Sequence, residues 1–450
     1  MLLCKQLRDI LDTTPALDTV WALLQALMTP DAHFDTFTLM RMRIDRTSFK
    51  GLRLLYKASS RNSTNGDCYV FARTMCPSIG QPLAEEMNRQ FSRTLPTGVF
   101  PDFSTAAVYI ADANLLLQVF PADNALPFLA QAADPKGMQS VLQTMRRQNR
   151  EGWMLVEVKP SLVQYEPEKK CLFRYELHWH DRRGGGQTTE VLYGKVFRKF
   201  AAGHKNLASI YAACQGTVFQ IPEPMGMVPE LSMQLIGSLP GMCLSHMCSE
   251  KHLSHICRQV ARGLLEFHHT PIVLYPEKDL ATVLSEVQKW TEEFAMAVPG
   301  EADRIRHVCL TITKALHRRA STPVAPVHGD FNAANILVDY ERLGLLDFDH
   351  CYMGSPGADV GSFYGELKLL ALNQYNDPTA LDRGIHAFIQ EYMSGCAPDL
   401  RDTIPAYCAL SCLWCAYFQC ILRPLKHGSL DRALLLQQLG ADILEKGAVR

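Results

Sequence analysis

The chain has almost no net charge: 45 Lys and Arg stand against 46 Asp and Glu, leaving −1. With no surplus of either sign, nothing in the composition draws it to nucleic acid or an anionic membrane. No low-complexity tract or long run of like charge interrupts it, so no stretch is marked by composition as an unfolded tail. The first residues, MLLCKQLRDILDTTPAL, carry charges where a secretory leader needs its apolar stretch, and no leader is expected. Fifteen cysteines, an odd number and scattered, read as reduced thiols of a cytosolic protein rather than a disulfide framework. Long apolar runs are also scarce. The stretch 404–422, IPAYCALSCLWCAYFQCIL, is uncharged and long enough to span a bilayer. Pro405, Ser411 and Gln419 dilute it, and helical patterns flank it on both sides. A buried core helix is the expected reading, in a cytoplasmic protein without a membrane partner.

What is present is an ordinary globular composition, 47 % apolar and 20 % charged over 450 residues. That length exceeds what one hydrophobic core serves, so two or three domains are expected. Residues 1–145 form a separate α+β module: FDTFTLMRMRIDRT, GLRLLYKA and DCYVFARTM are β-rich runs, with the turn-forming KASSRNSTNGD between the last two. The Pro-punctuated TLPTGVFPDFS follows, then a short strand at AAVYI and helices around ALPFLAQAA and MQSVLQTMRRQ. A second β-rich block, about 153–200, reads as WMLVEVKPSLVQYEP, CLFRYELHWHD and TEVLYGKVFRKF, the last two joined through RRGGGQ as a hairpin. KGLRLLYKA and DCYVFARTM faintly echo KKCLFRYELHW and EVLYGKVFRKF, which leaves open whether the first module is a degenerate copy of the second or an unrelated domain. Helical spacing then governs 253–269, 280–297, 302–319, 379–394, 404–422 and 430–446.

Between helical stretches lies VHGDFNAANILVDYERLGLLDFDH, 327–350. Asp330 and Asn335 on one side of an apolar hairpin and Asp347 on the other suit a metal and a proton acceptor held side by side, while surface loops also collect Asp, Asn and Gly for turn chemistry alone. Phosphoryl transfer needs such a set: a carboxylate for the attacking hydroxyl, oxygen ligands for Mg²⁺ and a cation on the phosphates. Magnesium takes one or two carboxylates plus phosphates and water, so an Asp and an Asn oxygen suffice.

HGDFNAANIL followed by LLDFDHCYMGSPGADVGSF resembles the catalytic core of the aminoglycoside phosphotransferase and choline kinase-like family, distant relatives of protein kinases. The family pattern H-G-D-x-x-x-x-N, I/L-D-x-x-x, G-x-P-x-x-D is matched at His328, Gly329, Asp330, Asn335, Asp347, Gly354, Pro356 and Asp359. The resemblance is firm over 321–365 and extends more weakly from Met154 to the C-terminus. It implies an α+β, bilobal protein-kinase-like fold: an N-lobe at 146–238 and a helical C-lobe at 239–450, preceded by the accessory domain. By resemblance, Asp330 is the catalytic base, and Asn335 and Asp347 are magnesium ligands. His328 supports the loop backbone, and Asp359 braces it. Lys195 of YGKVF is the strand lysine for the nucleotide phosphates, Lys169 or Lys170 of YEPEKK stands in for a phosphate loop, and Gly237 lies in the linker against the adenine.

The chain departs from the family's wider pattern in places. No G-x-G-x-x-G covers the phosphates, and the helix AAGHKNLASIYAAC offers no acid for Lys195, leaving Glu223 or Glu230 as substitutes. Ser355 replaces an Asp of the family's G-D-P. ATP and GTP both fit, with ATP taken as the donor. The short stretch after Asp347 leaves no platform for a peptide, so the acceptor is a small hydroxylated molecule, with His350, Tyr352, Glu366, Trp414 and Tyr417 as pocket candidates. The rival is a pseudokinase that binds nucleotide as a regulatory module without turnover. Cys408, Cys412 and Cys415 have an iron–sulfur-like spacing, but at i, i+4 and i+7 of an apolar helix they read as core.

Overall fold

The structure, a computed structural model, describes residues 34–44, 52–59, 67–94, 105–146, 151–198, 203–247, 252–317, 324–422 and 428–446. The N-terminal stretch without a leader pattern and most of KASSRNSTNGD and TLPTGVFPDFS lie outside these residues. The chain divides into two compact units. One takes the chain as far as Phe200 together with Met225–Gly237; the other takes Ala201–Pro224, Ser238–Ile421 and Lys426–Arg450.

In the first unit, β1 (Thr36–Ile44), β2 (Leu52–Ser59) and β3 (Cys68–Thr74) form an antiparallel meander. Helix α1 (Pro77–Thr94) follows, and β4 (Ala107–Ile110) and β5 (Leu115–Val119) form a hairpin that returns beside β3. Strand alternation gives this sheet two working faces. Tyr56, Val70, Ala72, Leu117 and Val119 pack on one. Leu55 and Phe71 point the other way, into a core with α2 (Leu129–Ala133), α3 (Pro135–Arg146) and a second sheet. Helix α1 and β5 were not expected from the sequence. Pro77, Gly80 and Pro82 disguise α1; Pro77 opens the helix, where a proline costs little, Pro82 lies inside it, and Ala84, Met87 and Phe91 are buried below it.

The second sheet begins as another meander: β6 (Trp153–Glu166), β7 (Lys170–Asp181) and β8 (Gln187–Phe197). Its register shifts at Leu155/Glu157 and Leu162/Gln164, and Pro160 between them pairs in register with Tyr175, a proline tolerated because β6 is an edge strand. After β8 come α4 (Gly203–Ala213) and β9 (Phe219–Gln220), both in the second unit, then β10 (Pro224–Val228) and β11 (Met233–Gly237). Strand β11 returns beside β8. The orders β1-β2-β3-β5-β4 and β6-β7-β8-β11-β10 are therefore one connectivity used twice: meander, helix, then a strand pair whose second member rejoins the meander. The buried aromatic residues Phe173, Tyr175 and Trp179 fill the core between the second sheet and α2–α3.

The second unit is mostly helical. It contains β12 (Met242–Cys243), α5 (Leu253–His269), α6 (Leu280–Ala297), α7 (Ala302–His317), β13 (Ala325–Val327), β14 (Ile336–Asp339), β15 (Arg342–Leu345) and β16 (Tyr352–Gly354). Then come α8 (Gly357–Tyr375), α9 (Asp382–Gly395), α10 (Pro398–Arg401), α11 (Ile404–Tyr417) and α12 (Ser429–Lys446). Helix α8 packs on α11 and α9 packs on α5. Gly357, Gly361 and Gly365 bring α8 against Tyr407 and Ser411 of α11, because a side chain at those positions would strike that helix. The stretch Pro398–Leu422 is long and apolar enough to cross a membrane, and 72 % of its apolar window is buried inside the protein. Its Cys408, Cys412 and Cys415 are all fully buried, and burial pushes the Cys412 thiol up to about 12. Such thiols are packing groups rather than ligands. A β-rich first unit and a helical second unit make an α+β protein.

Candidate active site

The segment 325–354 builds its site by lacing two loops together at both ends. Strand β13 pairs antiparallel with β16, placing Val327 opposite Tyr352. Strands β14 and β15 pair as a hairpin, and beyond it Leu346 N donates to Asn335 O at 2.9 Å. Residues 328–335 and 346–351 are thus two short loops closed by sheet at one end and by a hairpin at the other. They also meet in the middle. Gly329 has φ +78°, and a Cβ there would strike the His350 carbonyl. A glycine is required on both counts.

Asp330 lies in the first loop and Asp347 in the second. Asn332 Nδ2 donates to the Asp330 carboxylate at 3.0 Å, and Asn335 Nδ2 donates to its other oxygen at 3.1 Å and to Asp330 O at 2.9 Å. The carboxylate is held by two amides, and Asn335 turns its amide nitrogen inward, leaving its oxygen as the face for a cation. Burial lifts the Asp330 carboxyl above the ordinary aspartate range, and the Asp347 charge pushes the same way, against the pull of His328 and His350. Asp347 has left-handed backbone, φ 62° and ψ 68°, a conformation short polar side chains tolerate best after glycine. Among the described residues no three His, Cys, Asp or Glu side chains cluster as a metal cage. An Asn–Asp pair fits magnesium instead, an ion that binds through few protein oxygens and keeps phosphate and water for the rest.

Behind the first loop is a buried polar column. Asp359, at the start of α8 and fully buried, accepts from His328 N at 2.7 Å and Gly329 N at 2.9 Å. His268, near the end of α5, reaches the same carboxylate with Nε2 at 3.1 Å, and its Nδ1 lies 2.7 Å from the Tyr392 hydroxyl of α9. With the carboxylate as acceptor, Nε2 carries the proton and Nδ1 receives the tyrosine O–H. His328, also buried, points Nε2 at Leu346 O at 2.9 Å, which ties one loop to the other. Sequence reasoning passed over His268 and Tyr392, because a histidine at a helix end and a tyrosine on an apolar face carry no local sign of partners 91 and 124 residues away.

Helix α4 has no acid. Its buried Asn206 donates to Tyr275 O at 2.8 Å and accepts from Tyr275 N at 3.2 Å, so the helix anchors backbone where an acid was sought. In the first unit, Lys195 is buried on β8, with its ammonium 5.6 Å from the Phe197 ring centroid. Gly237 ends β11 opposite Leu192. Lys169 is 60 % exposed and Lys170 half-buried, at the β6–β7 turn. Of the pocket candidates, His350 is exposed while Tyr352 and Tyr417 are buried. Tyr417 donates to the buried Glu293 and packs beside Trp290 and Trp414. Glu366 and Trp414 are half-buried, and Cys415 Sγ lies 3.9 Å from Glu366.

Residues 199–396 match the model of the phosphotransferase enzyme family. No curated protein matches the sequence. Solved structures that resemble the chain include an ADP-bound aminoglycoside phosphotransferase, at 15 % identity and TM-score 0.42 over 68 % of this chain and 98 % of the other. Choline kinase from Cryptosporidium parvum Iowa II follows at 11 %, 0.45, 68 % and 95 %. A spectinomycin phosphotransferase in complex with ADP and spectinomycin gives 11 %, 0.44, 70 % and 98 %.

Proposed function

We propose that the protein is an ATP-dependent phosphotransferase that moves the γ-phosphate to a hydroxyl of a small molecule in the cytoplasm. The supporting observation is the laced pair of loops, which gathers Asp330, Asn335 and Asp347 into one oxygen-rich corner. Asp330 orients the acceptor hydroxyl and takes its proton, the hydroxyl oxygen bonds to the γ-phosphorus in line, and ADP leaves. Asn335 and Asp347 would hold a magnesium ion, which when bound neutralises charge on the phosphates. His328 and Asp359 fix the loop that carries Asp330. By family resemblance, Lys195, Lys169, Lys170 and Gly237 are assigned to the nucleotide.

A small acceptor is favoured over a protein. After Asp347 the chain passes through a single turn, pairs as β16 with β13 and enters α8 at Gly357, so no free segment remains to seat a peptide. Aminoglycosides, amino alcohols and sugars all offer the required hydroxyl. A nucleotide-binding module without turnover is the second reading, favoured by the acid-free α4. A screen with γ-labelled ATP against hydroxylated metabolites, with Asp330→Asn as control, separates the two. Label transfer that stops in the variant supports the enzyme. Nucleotide binding with no transfer to any acceptor supports the module, and equal transfer by the variant removes Asp330 from its role.

A further inference from the structure

Arg53 on β2 and Arg73 on β3 are directly opposed across the first sheet. Like charges in that relation destabilise a strand pair, so the pair needs an anion. The anion comes from the second sheet. Glu168, at the β6–β7 turn, is only 8 % exposed and pairs with Arg53 at 3.1 Å and with Arg73 more closely still. Two residues earlier, Glu166 pairs with Arg41 of β1 at 2.8 Å. The turn is gripped from a second side, because Asp123 accepts from Glu168 N and from the Tyr165 hydroxyl, both at 2.8 Å.

The turn's own backbone explains why it needs holding. Glu168 has φ +63°, a left-handed conformation that glycine adopts freely and glutamate does not. A glutamate kept there, buried and paired with two arginines, marks a position where the side chain does something a glycine could not. It also disposes the lysines. Arg41, Arg53, Glu166 and Lys169 line one cavity of about 40 Å³, and the Lys169 ammonium, 60 % exposed, lies 3.9 Å from the Glu166 carboxylate.

We propose that the accessory sheet sets the position of the β6–β7 turn through an arginine clamp on Glu168, making Glu168 a positioning residue for nucleotide binding by Lys169 and Lys170. The accessory domain then serves in place of a glycine-rich phosphate loop: the turn is fixed by ion pairs to a neighbouring sheet instead of folding flexibly over its ligand. This rests on the phosphotransferase function proposed above.

Two variants of the full-length protein test it. Glu168→Gly removes the carboxylate but suits the left-handed backbone, so the turn keeps its shape and loses its tether. Glu168→Gln keeps the side-chain bulk and loses the charge. Both are expected to raise KM for ATP about tenfold, within the usual span for coupling between distinct sites, with kcat changed less than about twofold. Amides 166–170 should exchange faster in both. Arg73→Gln combined with Glu168→Gln should do no more than either alone, as expected of one shared interaction. A lost structural contact alone would lower the melting temperature without this KM–kcat split. Wild-type KM and wild-type exchange in folded Glu168→Gly and Glu168→Gln would overturn the clamp. If the wild-type protein binds no ATP or AMP-PNP, the function reading falls instead, and the exchange comparison still decides whether the clamp holds the turn.

Discussion

Asp359→Asn is the sharpest probe of how the Asp330 loop is held. The carboxylate is fully buried and receives three donors: His328 N and His268 Nε2 on one oxygen, Gly329 N on the other. Asparagine keeps the shape but turns one oxygen into an NH₂. Whichever way the amide sits, that NH₂ faces at least one N–H. A buried donor left unpaired costs about 1–3 kcal/mol, and bonds that lose their charged acceptor fall from about 1.5–3 to about 1 kcal/mol each. Together these amount to about 3 kcal/mol of local stability, or about a hundredfold in the opening equilibrium. A two-unit chain has no single unfolding free energy, so amide exchange at His328 and Gly329 is the right assay, with β7 amides as internal control. Those two amides should exchange about a hundredfold faster in the variant. Turnover should fall by a similar factor as Asp330 leaves its placement. Acceleration below about threefold, well short of 1 kcal/mol, would refute the bracing role.

Gly329→Ala combines a left-handed residue, costing about 1–2 kcal/mol, with a Cβ driven into the His350 carbonyl. Circular dichroism should stay native while phosphate transfer is lost, and retained transfer would contradict the contact between the loops. The pH profile follows from Asp330, whose ionised form is the proton acceptor. Burial disfavours that form, so the group protonates at a higher pH than an ordinary aspartate, and kcat/KM, which reports the free enzyme, should fall on acidification through a limb above about 3.9. A limb at or below that value would contradict the assignment. Cys408, Cys412 and Cys415 should resist maleimide at pH 8 until the protein is unfolded, because burial raises all three thiols; mass spectrometry of the labelled native protein checks this.

Much of the second unit was legible because its signals are local. The apolar spacing of 253–269 and 280–297 returns as α5 and α6 with the same ends. The motif 327–350 announces its hairpin through ILV and LGLL around a polar turn. In the accessory sheet, β1 to β4 were legible as strands. Its work was not legible. Arg41, Arg53 and Arg73 look like the solvated face of a β-ribbon until Glu166 and Glu168, about a hundred residues on in sequence, are brought beside them. Attention to the lysines of YEPEKK missed that its glutamates are the buried members. Asn206, His268 and Tyr392 were invisible for the same reason: each is defined by a partner from a distant segment, and periodicity reports only which face is apolar.

Cation binding tests the account most directly. Mn²⁺ titrated with AMP-PNP, followed by electron paramagnetic resonance, should show tight nucleotide-dependent binding to the wild-type protein. That binding should be lost in Asp347→Asn and weakened in Asn335→Ala, yet survive Asp330→Asn, which removes the proton acceptor and leaves both ligands in place. Unchanged manganese binding in Asp347→Asn and Asn335→Ala would contradict a metal held between the two loops.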